Sequence, residues 1–327
     1  MNTQRRRVVV GGLSGAAMAM AARIAPAQSW PARPVRVVVG FPAGGLTDAL
    51  ARAYCEYLGQ KLGQPFLIEN RPGASGMIAG ADVAKAAPDG HTFWFTITGS
   101  TNQNRVLYKK MPYDPDRDFV HVTGFHAGHL PLAVNAASPV RSMRDLIELG
   151  RKQRITLGNY SPGSQPHMLA QQLAKLYGVQ IDPVPYKGEA PMWLDLASGQ
   201  ITAAMGSILA ISPHLQSGKV RAIAVPTRTR SPLLPEVPTF DEQGFSEPIF
   251  VVEGWIGMFA PAGTPRAVVQ RISALNQEAA DTPRVRQINK NFGLRDKPWT
   301  AAEFEKLDAE IKPRWIELAR ELNITLD

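Results

Sequence analysis

The sequence predicts an α/β protein of two lobes, and three observations carry that expectation. From Val35 onward, short β-branched runs alternate with helical patterns, the signature of βαβ units and parallel sheets. The pattern divides into one α/β unit up to about residue 125, a second to about residue 251, and a helix-rich return. The chain of 327 residues, 44% hydrophobic and 20% charged, is long enough for two units of ordinary domain size. Two sheets with two connections would satisfy this pattern; a single long doubly wound sheet is the alternative.

Strands are expected at residues 35–39, 66–69, 92–96, 132–135, 155–159, 182–185, 202–205, 221–225 and 254–259, where β-branched and apolar residues cluster between turn signals. After the first strand, Leu46, Leu50, Ala53, Tyr54 and Tyr57 recur at the spacing of a one-sided apolar stripe, which predicts a helix. Further helices are expected at 76–86, 142–151, 167–177, 191–198 and 212–217, with two more at 265–280 and 301–322. No internal repeat or low-complexity segment interrupts them.

The first 27 residues read as an export signal: Arg5-Arg6-Arg7, a short apolar body from Val8 to Ala22, and the small-x-small site Ala25-Pro26-Ala27. Arg23 ends the apolar body short of the ~20 residues a membrane-spanning helix needs. The paired arginines fit a twin-arginine signal, while Val8-Val9 fits general secretion equally, so both routes stay open. Cleavage after Ala27 removes four arginines and leaves 32 basic against 28 acidic side chains, so the formal charge of +8 falls to +4. The remaining Lys and Arg are scattered, and no basic stripe with interleaved aromatics points to nucleic acid.

The lone Cys55 excludes an internal disulfide and any CxxC site, and it reads as a free thiol on a helix flank. The GxSxG, SxxK, HExxH, GxGxxG and GxxxxGK[ST] patterns are all missing, which removes the usual signatures of hydrolases, zincins and nucleotide binders. His121, His126 and His129 are the one grouping with metal-like spacing; no cysteine completes it, and solvated or hinge histidines are the plainer reading.

Two loops carry the chemistry. Gly40-Phe41-Pro42-Ala43-Gly44-Gly45-Leu46-Thr47-Asp48 joins the first strand to its helix. Its glycines let the backbone approach a ligand with no Cβ in the way, and the helix start leaves N–H groups unpaired, a ready site for an anion. The crevice beyond the carboxyl ends of parallel strands is where such proteins bind ligands. Asp48 either closes the helix start or touches a ligand, in which case it would hold an ammonium or a water. The second loop, Gly158-Asn159-Tyr160-Ser161-Pro162-Gly163-Ser164-Gln165-Pro166-His167, repeats the design, with Ser164 at the N-cap and Pro166 in the first turn. Strand ends at Thr98-Gly99-Ser100-Thr101-Asn102 and Met205-Gly206-Ser207 would add small hydroxyls. One helix end contributes only ~0.3–1 kcal/mol to an exposed anion, whereas micromolar affinity needs about 8 kcal/mol. Closure of two lobes around the ligand is therefore the physically reasonable route.

These residues resemble the periplasmic solute-binding receptors of tripartite tricarboxylate transporters, the Bug-type proteins. The resemblance runs from Trp30-Pro31 nearly to the C-terminus. It includes the Pro42 to Asp48 loop with Ala51-Arg52, then Leu62-Gly63-Gln64-Pro65, Glu69-Asn70-Arg71-Pro72-Gly73-Ala74 and Ala87-Pro88-Asp89-Gly90. It continues through the stretch from Leu107 to Asp114, Val184-Pro185-Tyr186-Lys187-Gly188, Gly218-Lys219-Val220-Arg221-Ala222, Leu234-Pro235-Glu236-Val237-Pro238-Thr239 and Ala260-Pro261-Ala262-Gly263-Thr264-Pro265. The resemblance implies a type II periplasmic-binding-protein fold, with two α/β lobes joined by a two-stranded hinge. Residues 28–127 and 252–327 would form lobe 1 and residues 128–251 lobe 2. It also implies a periplasmic, non-enzymatic, monomeric receptor without cofactor or metal, which passes a small carboxylate to the membrane permease subunits of the transporter.

In that family the first loop and the Ser-Gly loop of the second lobe hold a carboxylate through backbone amides and waters. Carried over and joined to the strand-end hydroxyls, the expected ligand-binding set is Ala43, Gly44, Gly45, Leu46, Thr47, Asp48, Thr98, Ser100, Ser161, Gly163, Ser164, His167 and Ser207. His167 has the alternative role of supporting its helix. Leu46, Met205-Gly206-Ser207 and Glu253 depart from the family's pattern, which weakens the case for a tricarboxylate and admits an aromatic, longer or amine-bearing carboxylate. Two rivals stay open: a sensor that presents its ligand to a signalling receptor, and an enzyme on a bilobed scaffold.

Overall fold

The computed structural model describes residues 30–294, 297–321, 323 and 325–326. The expected export signal, residues 1–27, lies outside the described residues. In chain order the first part contains β1 (Val35–Val39), α1 (Leu46–Leu62), β2 (Phe66–Asn70), α2 (Met77–Ala84) and β3 (Thr92–Ile97). A π-helical turn (Gly99–Gln103) then runs into α3 (Asn104–Leu107), followed by β4 (Phe119–His126). The second part comprises β5 (Leu132–Asn135), α4 (Met143–Lys152), β6 (Ile155–Asn159), α5 (Gln165–Tyr177), β7 (Ile181–Pro185) and α6 (Glu189–Ser198). It continues with β8 (Ala203–Met205), α7 (Ile208–Gln216), β9 (Val220–Ala224) and α8 (Pro248–Val251). The chain returns through β10 (Trp255–Pro261), α9 (Arg266–Ala279), α10 (Pro283–Phe292) and α11 (Ala301–Glu321). Among the described residues no helix is long and apolar enough to cross a membrane.

These strands form two five-stranded sheets, in the orders β2-β1-β3-β10-β4 and β7-β6-β8-β5-β9, and not one long sheet. Burial on both faces explains why β1 reads as the near-continuous apolar run VRVVV, with Val37, Val38 and Val39 fully covered. Helices α1, α9 and α10 pack on one face of the first sheet, around Leu50, Tyr54, Phe95 and Phe125. The second sheet has its own core, centred on Leu157, Met168, Leu169 and Leu173.

Neither sheet is purely parallel, as the sequence pattern had suggested. β10 runs antiparallel to both β3 and β4, and β5 runs antiparallel to both β8 and β9. Each of these strands follows a crossing between sheets, so it enters against the direction of the βαβ units. At the crossing, β4 and β10 pair with Trp255 opposite His126. From that pair the chain leaves through residues 127–131 and comes back through 252–254, so the two connections run side by side.

Helix α11 ties the halves together. Its Phe304 packs with Trp94, Trp255 and Phe259 of the first sheet, while Trp315, Leu318 and Ala319 join the core of the second. Between them Asp308 is 2% exposed and accepts from Asn102 Nδ2 at 2.9 Å and Trp255 Nε1 at 3.0 Å, with His121 Nε2 at 3.1 Å. Burial raises its pKa, but these partners and Lys312 outweigh it, and the carboxyl is held below its ordinary value.

Four elements were absent from the sequence expectations: the short helices α3 and α8, and the longer β4 and α10. β4 contains His121 and His126, which pack against aromatic rings: His121 against Phe259 and Phe304, and His126 against Trp299. α10 is capped by the Thr282 hydroxyl, which accepts from the Val285 amide.

Candidate functional site

A cavity of about 520 Å³ opens between the two sheets, within the usual range for small-molecule sites. The loop from Phe41 to Thr47, ahead of α1, forms one wall. Tyr160, Ser164 and Gln165 ahead of α5 form the wall opposite, and Lys187 to Pro191 at the head of α6 forms a third. Leu46, Ile97, Ala127, Leu130 and Ile256 give the interior an apolar lining, with Trp255 and Trp315 also on its border.

The loops ahead of α1 and α5 are built alike. Gly45 and Ser164 are the N-caps, both with extended backbone, and the residue before each is a glycine with positive φ: Gly44 at 91° and Gly163 at 72°. In each loop that glycine's amide donates to the side chain four residues on. Gly44 N gives its proton to Asp48 Oδ2 at 3.0 Å, and Gly163 N to His167 Nδ1 at 2.9 Å. The turn is thus locked by its own side chain, and the helix heads, with their remaining N–H groups lacking intrahelical partners, border the cavity. At α1 the first amide with an acceptor inside the helix is Ala49 N, on Gly45 O. The amides of Leu46, Thr47 and Asp48 have no carbonyl four residues back within the helix. At α5 Pro166 has no N–H, so Gln165 and His167 supply the corresponding donors.

Asp48 closes this arrangement without touching the cavity. Besides the Gly44 amide, its carboxylate takes Arg52 Nε at 2.9 Å and Asn70 Nδ2 at 2.9 Å. Burial pushes its pKa up; the bonds from Arg52, Gly44 and Asn70 outweigh this and hold it down. His167 is buried, and burial lowers its pKa, which keeps the imidazole neutral with Nδ1 free to accept.

Of the expected contacts, Ala43, Gly44, Gly45, Leu46, Thr47, Thr98, Ser164 and Ser207 line the cavity. Asp48, Ser100, Ser161, Gly163 and His167 stand behind its wall. The physical reason is that each is occupied in holding a turn. Ser100 donates to the Ser75 carbonyl and accepts from Thr96, the Ser161 carbonyl takes the Ser164 hydroxyl, and Asp48 and His167 receive the loop glycines. Ser164 occupies the N-cap position as expected, yet its hydroxyl makes no cap bond. Glu253 is exposed and off the cavity wall. Cys55 is buried in the core beneath α1, where burial pushes its thiol pKa up.

Sequence reasoning missed the polar groups at the head of α6. Glu189 reaches the cavity with its carboxylate held by Ser207: the amide meets both oxygens at 3.1 Å and the hydroxyl donates at 2.5 Å. Burial raises the Glu189 pKa, and Ser207 and Trp193 draw it partly back. Tyr160 lies near enough for Glu189 to add to the effect of burial in raising the phenol's pKa. Lys187 and His214 are also on the wall, Lys187 exposed. The available signal was positional: residues 187–189 sit just beyond the carboxyl end of β7.

Two α/β sheets, paired crossings beside a registered strand pair, and helix heads facing one intervening cavity define the type II periplasmic-binding architecture. Comparison with known proteins makes this specific, since the model of the tripartite tricarboxylate transporter family receptor matches residues 50–324. The chain belongs to that family. BugT of Bordetella pertussis is 31% identical over the full length of both chains. A protein from the tcbD-tcbE intergenic region of Pseudomonas sp. is 35% identical, covering 99% of this chain and 96% of its own. Among solved structures, an R. palustris protein with adipate is 33% identical, with a TM-score of 0.84 over 91% of this chain and all of that one. MatC of Rhodopseudomonas palustris, solved with bound malate, is 30% identical, with a TM-score of 0.76 over 88% of this chain and 99% of its own.

Proposed function

We propose that this protein is a periplasmic receptor that captures a small organic carboxylate between its lobes and delivers it to the permease subunits of a tripartite tricarboxylate-type transporter. The carrying observation is the pair of matched loops whose helix heads open on one cavity from opposite sheets. Unpaired main-chain amides at two helix heads suit a carboxylate that must be bound and then released. The adipate and malate in the relatives' structures support the same ligand class. The division expected from the sequence, 28–127 with 252–327 against 128–251, gives two bodies hinged where Trp255 pairs with His126, with the end of α11 packed across onto the second through Trp315, Leu318 and Ala319. The receptor acts as a monomer, without catalysis or cofactor, after export through the N-terminal signal.

The test is isothermal titration of protein unfolded, stripped of ligand and refolded, against a broad panel of mono-, di- and tricarboxylates. Binding at one site per chain, with the carboxylate recovered unchanged, is the expected result. Silence across the panel from folded protein, or steady turnover of any member, would overturn the reading. Mass spectrometry of the small molecule that co-purifies would name the guest directly. Loss of uptake on deleting the permease genes, with binding intact, is the result expected for the transport step.

A further inference from the structure

Three hydroxyl groups on the cavity wall have already committed their protons. A serine or threonine has one O–H to give. Thr98 gives its own to the Trp255 carbonyl at 3.1 Å, Ser164 to the Ser161 carbonyl at 2.7 Å, and Ser207 to Glu189. What these side chains turn toward a guest is lone pairs. Two stronger acceptors stand with them. The Glu189 carboxylate is fixed at the head of α6 by Ser207, and Gln103, only 3% exposed in the π-helical turn, has its Oε1 buried without a partner. The cavity therefore carries main-chain donors at its helix heads and fixed acceptors at Glu189 and Gln103, with Leu46, Ile97 and Ile256 as apolar wall and Lys187, Tyr160 and Thr47 as further polar groups.

Resting on the receptor reading above, we propose that the guest carries an ammonium group besides its carboxylate, and that Glu189 receives it, making Glu189 the residue that selects amine-bearing carboxylates over dicarboxylates. The carboxylate of the guest occupies the main-chain amides ahead of α1 and α5. An apolar body spans the interior, and the ammonium donates to Glu189, a charge-assisted contact stronger than a neutral hydrogen bond. A second carboxylate at that place would meet fixed negative charge and oxygen lone pairs.

Two ligand series separate the groups with little change of shape: 6-aminohexanoate, hexanoate and adipate, and leucine beside 4-methylpentanoate. Titration of the wild-type protein is expected to give at least one series in which the amine-bearing member binds about tenfold or more tighter than its amine-free partner. Adipate is expected to be weaker than 6-aminohexanoate. In Glu189→Gln that ratio is expected to fall to near one; if Glu189→Gln does not fold, Glu189→Ala is read in the same way. Carboxylates that bind the wild type with no preference for the amine in either series overturn the role of Glu189, as does a preference that survives in the variant. Failure of every member of both series and of the broad panel overturns the receptor reading instead.

Discussion

The two loops that face each other across the cavity meet one geometric demand with different chemistry. Each turns on a positive-φ glycine and locks that glycine's amide onto a side chain in the first helical turn, but one uses a carboxylate and the other a neutral imidazole. Asp48 brings a charge that would oppose an anionic guest, and the structure balances it at the rear with Arg52 and Asn70. His167 brings no charge and needs no such escort. Packing differs as well. A Cβ on Gly44 would meet nothing within 4 Å, whereas one on Gly163 would lie 2.2 Å from Leu107 Cδ1. What the pair teaches is that the residue four positions after the loop glycine serves the shape of the turn, which under the receptor reading proposed above leaves the main chain to meet the guest.

The largest expected effect tests whether these loops bind anything. Gly45 has an ordinary extended φ of −82° and open space around its missing Cβ, on the cavity wall. Gly45→Val should weaken carboxylate binding by about 100-fold or more, roughly 2.7 kcal/mol, with little change in the melting midpoint. Titration and thermal unfolding of the same sample check both halves, and full affinity would break the assignment of the loop.

The next effect sharpens the packing difference. Gly163→Ala combines a strained φ with a clash and should cost roughly 2–3 kcal/mol of stability. Gly44→Ala carries φ strain alone and should cost about 1 kcal/mol. Urea unfolding of the two variants side by side should give that order, and equal costs would mean the loops are packed alike. Removing the locks comes next. Asp48→Ala should cost about 1–2 kcal/mol, because Gly44 N, Arg52 and Asn70 all lose a partner. His167→Ala, which strands one amide, should cost less by the same measurement.

Acid should separate the loops most gently. The folded pKa of His167 lies below its ordinary value of about 6.5. The unfolded chain therefore takes up its proton first, and this contribution, complete above that value, is lost as pH falls through the folded pKa. Asp48 is likewise lowered, from a carboxylate value of about 3.9, so its contribution survives until pH drops below that range. Glu189 runs the opposite way, since burial raises its pKa, and the readout must cancel it. The difference in stability between wild type and His167→Ala should shrink from pH 7.5 to pH 5, while that between wild type and Asp48→Ala should hold.

Much of this was legible from local chemistry. Strand β1, the glycine turn after it and the stripe of α1 follow from residues close in sequence, as do the Ser164 N-cap position and Pro166. Strand β4 was not legible. His121, Thr123 and Gly124 break its apolar pattern, and His121 finds Asp308 only in the folded chain, 187 residues away. Helix α10 did carry a signal, Val285, Ile288 and Phe292 between Thr282 and Gly293, which is clear once its caps are recognised. The cavity acid was hidden because Glu189 and Ser207 stand on different elements. Asp48 was ambiguous because Asn70, which helps hold it away from the cavity, comes from the end of β2.

Trp255 and Trp315 both line the cavity while being almost wholly shielded from solvent. A molecule settling between the sheets changes the electrostatic surroundings of these two buried indoles, so the protein carries its own optical reporter. Quenching or a spectral shift of indole emission would follow occupancy in real time, with no dye attached, and a Trp255→Phe replacement would tell which ring is speaking.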